Sequence, residues 1–154
     1  MAVSIVDGSR YLDEVKQLIL EYARFLNRDL HFQHIEQELE DLQSKYAAPN
    51  GQILVALTEE GTVIGCVAFR RLTEKRCEMK RLYVKEAFRK LKAGRGLGEA
   101  ILASAKAQGY QEMVLDTIKP LQGAVHLYEK LGFEQIPAYY DNPMDDVIYM
   151  RRAL

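Results

Sequence analysis

Residues 88–102 read FRKLKAGRGLGEAIL, with Gly94, Gly96 and Gly98 alternating among Lys90, Lys92 and Arg95. Leu97, Ile101, Leu102 and Ala105 then recur at helical spacing. Glycine has no Cβ, so an anion can come close to its backbone. The first amides of a helix lack intrahelical partners, and the helix dipole adds partial positive charge there. A basic glycine stretch opening a helix is therefore a candidate pyrophosphate cradle. The alternative is a tight strand-to-helix turn that uses glycine for conformation alone.

Two better-known phosphate motifs fail on spacing. A dinucleotide fingerprint needs glycines at the first, third and sixth positions, but Gly94 and Gly96 are followed at the sixth by Glu99. The acidic residue expected about 20 positions on is also misplaced, because Asp116 falls inside a strand-like run. No glycine, four residues and Gly-Lys-Ser/Thr occur in series.

Upstream, QILVALTE (52–59), TVIGCVAFRRL (62–72) and RCEMKRLYV (76–84) read as three strands of an antiparallel meander. Ahead of them lie a short strand (1–8) and a helix carrying Leu12, Val15, Leu18, Ile19, Tyr22 and Leu26 on one face. A second helix is predicted over 31–46, ended by Pro49, Asn50 and Gly51. Downstream, MVLDTI (113–118) reads as a strand, LQGAVHLYEKLG (121–132) as a helix, and the tail as one or two strands ending in VIYM (147–150). The pattern predicts an α/β fold in a single domain over residues 1–154, with a mixed sheet and flanking helices.

The bulk properties narrow the function classes. With 21 basic and 22 acidic side chains, the chain has no global pull toward nucleic acid or a membrane surface. No run approaches 18 apolar residues and no charged, then apolar, leader opens the chain. Cys66 and Cys77 fall in strand-like segments and read as small buried hydrophobes rather than a disulfide or metal site. A reducing cytoplasm is the compartment these features fit.

RLYVKEAFR, GRGLGEAIL, a strand and then AVHLYEKLGF, in this order over residues 78–133, resemble the GNAT superfamily of N-acyltransferases. The resemblance extends over the whole chain. It departs from the family's usual run at the glycines: Lys90-Leu91-Lys92-Ala93 separates Phe88-Arg89 from Gly94. Either KLKA is a four-residue insertion and Arg89 is the family's arginine, or that position falls on Ala93; the distance from the strand favours the insertion.

The resemblance implies a mostly antiparallel sheet in which the strand 76–84 and the strand 113–118 are parallel and splay apart around acetyl-CoA. It implies that the backbone of Leu82, Tyr83 and Val84 pairs with the pantetheine arm. It places amides of Gly94, Arg95, Gly96, Leu97, Gly98 and Glu99 at the pyrophosphate, with Arg89 beside them. The implied reaction is direct attack of an unprotonated primary amine, of a small molecule or peptide, on the thioester, with no metal. Tyr128 matches the tyrosine of the family's LYE motif and is the candidate acid toward the CoA sulfur. Packing beside Leu127, Leu131 and Phe133 is the alternative. Glu78 is the candidate base, against an ion-paired strand glutamate or a water chain. Leu121 stands where many relatives carry asparagine, and leucine cannot make its hydrogen bond; Gln122 and Lys119 are the substitutes at hand. A non-catalytic acyl-CoA-binding module is the competing function.

The remaining polar residues carry less. His31 and His34 lack the partners of a metal site, and His126 is expected on the exposed side of its helix. Arg70-Arg71 and Lys80-Arg81 read either as solvated strand faces or as attractors for an acceptor carboxylate. Tyr139–Asp146 reads equally as an ammonium-binding loop or a solvated turn. Ile148, Tyr149 and Met150 suit a strand inside the sheet or at an edge shared with a second subunit, and a homodimer is implied by resemblance only.

Overall fold

The computed structural model describes residues 3–26, 35–47 and 49–154. Strands β1 (Ser4–Asp7), β2 (Gly51–Leu57), β3 (Val63–Arg71), β4 (Arg76–Val84), β5 (Glu112–Ile118), β6 (Glu134–Ile136) and β7 (Val147–Ala153) form one sheet. Their order across the sheet is β1-β2-β3-β4-β5-β7-β6. All pairings are antiparallel except β4 with β5. Helices α1 (Leu12–Leu26), α2 (Ile35–Glu40) and α3 (Leu42–Lys45) precede the meander; α4 (Ala93–Ala107) and α5 (Gln122–Lys130) flank β5 in sequence.

The sheet has a core on each face, as alternation along its strands requires. Cys66, Ala68 and Tyr83 pack on one face with Val15, Leu18 and Ile19 of α1. Val67, Phe69, Cys77 and Met79 pack on the other with Leu97, Ile101 and Ala105 of α4 and Tyr128 and Leu131 near α5. The apolar stripes read from the sequence are the stripes buried here. Cys66 and Cys77 are free thiols on opposite faces, and burial pushes both up to about 12.

One local feature differs from the sequence expectation, and one open alternative is resolved. The helix predicted over 31–46 breaks at Asp41, which leaves the helical region (φ −144°) and accepts a hydrogen bond from Ser44 N–H at 3.2 Å. An aspartate that caps the next turn competes with continuing the previous one. His31 and His34 lie outside the described residues. At the other end, β7 runs to Ala153 and sits between β5 and β6, so Ile148, Tyr149 and Met150 are inside the sheet rather than at its edge. The strand enters there because Gly132, at φ +94°, ends α5 and turns the chain back into β6.

Two irregularities of β4 create the site. Cys66 pairs with Tyr83 and Ala68 with Lys80, so β4 has one residue more than β3 over this span, a β-bulge. Arg81 takes it up at φ +60°, a conformation unusual for a residue with a Cβ. Then β4 and β5 pair over only three rungs, ending at Glu78 with Val114. Beyond that rung the two strands part.

Candidate active site

The gap between the parted strands is a narrow cleft lined by Met79–Leu82 from β4, Leu115–Ile118 from β5, and Tyr128 from α5. Among the described residues β4 has no strand partner on this side after Glu78, so its backbone edge faces the cleft. Such an edge offers unpaired N–H and C=O groups to any extended chain laid along it.

The start of α4 lies against the end of β4 and against α5. A Cβ built on Gly94 would meet Leu127 Cδ2 at 3.5 Å and Val84 Cγ2 at 3.9 Å, so β4, α4 and α5 converge there. The three glycines lie inside the first turns of α4 rather than in a loop before it. Gly96 N–H already bonds Lys92 C=O at 3.3 Å. The amides with no helical carbonyl within reach are therefore those of Ala93, Gly94 and Arg95. Lys92, at φ +59°, makes the junction between the 3-10 helix Glu86–Leu91 and α4. Gly98 has a packing reason: its Cβ would stand 2.5 Å from Leu131 Cδ1.

The side chains around the expected pyrophosphate amides have other partners. Arg89 turns back on β4: its Nε donates to Val84 C=O at 3.1 Å, and its guanidinium lies 5.1 Å from the Phe25 ring centre and 5.6 Å from that of Tyr83. Arg95 and Glu99 pair with each other at 2.8 Å on the exposed side of α4. Leu97 is fully buried in the core beneath it. Leu82 lines the cleft with its side chain, whereas Tyr83 packs toward α1 against Tyr22.

Tyr128 is 7% exposed and stacks edge-on to Phe133 with ring centres 6.0 Å apart. Its hydroxyl finds no hydrogen-bond partner among the described residues, although the residue lines the cleft. Burial pushes the phenol up, which keeps it protonated at neutral pH. Leu121 lines the same cleft with an apolar side chain. Gln122 does not replace the missing polar contact, because its amide donates to Lys119 C=O in its own turn.

Glu78 stands on the last paired rung and is 2% exposed. Arg70 Nε donates to its Oε1 at 2.8 Å, and Tyr139 O–H to its Oε2 at 2.5 Å. Lys80 Nζ is 3.9 Å from Oε1. The basic pair 80–81 is thus not a solvated face. Arg81 holds Glu38 of α2 by two bonds of 2.8 and 3.0 Å, deep in the protein. Burial, then the neighbouring Arg81 charge, holds the Lys80 ammonium below its ordinary range.

Sequence reasoning missed Asp116. It lines the cleft from β5, and burial lifts its carboxyl against the hydrogen bond from Tyr140 and the charge of Lys80. Its signal was the polar break at alternate spacing in MVLDTI, which puts Val114 and Asp116 on the face of Glu78. The segment Tyr139–Asp146 is solvated only in part: Asp141, Pro143 and Asp145 are exposed, and the aromatic side chains fold inward. Tyr139, Tyr140 and Tyr149 pack with ring centres 5.3–5.7 Å apart, and Asn142 donates to the Tyr140 oxygen at 2.7 Å. His126 is exposed, as expected.

The model of the acetyltransferase (GNAT) family matches residues 12–133. An uncharacterised N-acetyltransferase of Schizosaccharomyces pombe is 42% identical over 152 residues, covering 98% of this chain and 93% of its own. A GNAT-family acetyltransferase of Staphylococcus aureus superposes with a TM-score of 0.82 at 23% identity, over 99% of both chains. A GNAT acetyltransferase of Elizabethkingia anophelis, solved with acetyl-CoA bound, superposes with a TM-score of 0.60 at 22% identity, over 74% of this chain and 82% of its own. The splayed parallel pair, the helix that opens at its mouth and the match over most of the sequence agree: this chain is an acyltransferase of the GNAT family.

Proposed function

We propose that this protein moves the acetyl group of acetyl-CoA to a primary amine. The observation that carries this reading is the cleft opened after the Glu78–Val114 rung, into which β4 presents its unpaired backbone and α5 presents Tyr128. An acetylated pantetheine laid along Leu82, Tyr83 and Val84 takes the place of the missing strand partner. At its far end the amides of Ala93, Gly94 and Arg95 meet the pyrophosphate, with the positive end of the α4 dipole behind them. The cradle thus begins one residue earlier than the glycine spacing suggests.

The reaction forms one C–N bond and breaks one C–S bond. The acceptor reaches the site largely as an ammonium, with a pKa of about 10.4 for an alkyl amine, so a proton must leave before attack. Glu78 accepts that proton, and a backbone amide near the end of β4 steadies the charge that develops on the carbonyl oxygen. The electron pair of the broken bond departs on sulfur and takes a proton from Tyr128, and the second proton shed by the attacking nitrogen restores the phenol. The products are the acetamide and the free CoA thiol. A reducing compartment such as the cytoplasm suits two cysteines that stay free on opposite faces of the sheet.

Calorimetric titration with acetyl-CoA, repeated on Gly94→Glu, tests the reading. Saturable binding to the parent protein and its loss in the variant support it. No binding to the parent protein defeats it.

A further inference from the structure

A second cavity of about 420 Å³ lies on the sheet face of Glu78, lined by Lys45, Arg70, Arg76 and Lys80, by Glu38 and Glu78, and by Tyr139 and Tyr140. Lys80 also lines the thioester cleft, and Tyr140, in the second cavity's wall, bonds Asp116 in the cleft's wall. Lys80 therefore borders both spaces, beside the candidate base. A molecule seated in the second cavity has its amine at the junction and its remainder among the cations.

The charges of that wall do not cancel. Four cations face two carboxylates, and both carboxylates are already engaged, Glu38 by Arg81 and Glu78 by Arg70. Widening the circle to Arg81 and Arg151 against Glu112 and Asp116 leaves the same excess of two positive charges. Arg76 is held by Glu112 at the cavity's outer end, but Lys45, on exposed α3, has no carboxylate partner among the described residues. Lys80, only 10% exposed, has Glu78 at 3.9 Å, too far for a direct hydrogen bond. A buried ammonium without a close counter-ion is costly. An anion entering the cavity supplies one.

Resting on the acetyl-transfer reading above, we infer that the acceptor is a small amine that also carries carboxylate, an amino acid or a close relative of one. Its carboxylate lies between Lys80 and Lys45, while its amine faces Glu78 where Lys80 borders both spaces. Polyamines and other purely cationic acceptors meet the excess positive charge and are turned away.

Acetylation of glycine, β-alanine, aspartate and glutamate is compared with that of glycinamide, β-alaninamide and putrescine, at saturating acetyl-CoA. Each rate is corrected for the amine's own protonation. At least one carboxylate-bearing amine is expected to exceed its amide, or putrescine, by tenfold or more in kcat/KM, the difference residing in KM. Lys80→Gln and, separately, Lys45→Gln shrink that preference; the second change is on an exposed helix and leaves the fold undisturbed. Amides or putrescine as good as the acids, preferences unchanged in both variants, or no acetylation of any of these amines would overturn the inference. If acetyl-CoA still binds in calorimetry, only the inference falls; if it does not, the acetyl-transfer reading falls with it.

Discussion

Arg81 and Glu38 join β4 to α2 by two hydrogen bonds of 2.8 and 3.0 Å, with both side chains almost wholly out of water. Arg81 is also the residue that takes the bulge at φ +60°. A left-handed arginine is held only where its surroundings fix it; Glu38 grips its side chain and the Cys66 thiol donates to its C=O at 3.3 Å. The pair therefore sets the path of β4 into the cleft as well as tying down α2.

Glu38→Gln removes the carboxylate charge that faces the buried Arg81 guanidinium and is expected to destabilise the fold by about 3–5 kcal/mol. Burial alone would raise the Glu38 carboxyl, but the hydrogen bonds and charge of Arg81 outweigh it and hold it below the usual 4.5. Its contribution is thus fully present above about pH 4.5 and fades as pH falls through the lowered value. Urea unfolding of both proteins at pH 7 and across the range below 4.5 checks this: the gap between them should narrow on acidification.

The three glycines of α4 separate into two kinds. Gly94 and Gly96 have ordinary room for a methyl group, with neighbours no nearer than 3.5 and 3.7 Å, so alanine there should stabilise the helix by about 0.5–1 kcal/mol. Gly98→Ala drives a Cβ into Leu131 and is expected to lose about 1–3 kcal/mol, partly restored in Gly98→Ala/Leu131→Ala. Thermal unfolding of the four variants orders them. Equal effects at all three positions would contradict the packing assigned to Gly98.

Much of this architecture was legible because it rests on periodicity. The stripe of Val15, Leu18 and Ile19, the meander from Gly51 to Val84 and the helix carrying Tyr128 all declare their buried faces at spacings of 3.6 or 2. The placement of the glycines was only half legible. Their spacing announces close backbone approach, but whether ligand or Leu131 makes the approach depends on a residue 33 positions away. The charged wall was hidden for a similar reason. RCEMKRLYV looks like a strand with one polar face, and only the bulge at Arg81 and the inward folding of Tyr139 and Tyr140 turn that face into an interior. Asp116 and Lys80 meet across two strands that no local pattern pairs.

Tyr128 offers a clean separation of binding from chemistry. Its hydroxyl bonds to no described residue, so Tyr128→Phe removes little from the fold or from acetyl-CoA affinity. If the phenol protonates the departing sulfur, kcat falls by about 100-fold or more while calorimetric affinity for acetyl-CoA holds within about threefold. A matching loss in both quantities would reduce Tyr128 to a wall of the cleft.

Two carboxylates stand close enough to the junction to take the amine's proton, and their surroundings differ. Glu78 is held from two sides by Arg70 and Tyr139, on the rung where the strands part; Asp116 lines the cleft, its carboxyl raised by burial. If Glu78 is the base, Glu78→Gln leaves attack to the small fraction of acceptor that is already neutral. The rate of that variant then climbs about tenfold per pH unit toward the amine's own pKa near 10.4, while the parent enzyme levels off at lower pH. Asp116→Asn, which keeps a partner for Tyr140, should retain the parent profile. Measured pH–rate curves for both variants decide the assignment: a flat profile in Glu78→Gln together with the steep one in Asp116→Asn would move the base from β4 to β5, and Glu78 would then serve to fix Arg70 and Tyr139 around the acceptor.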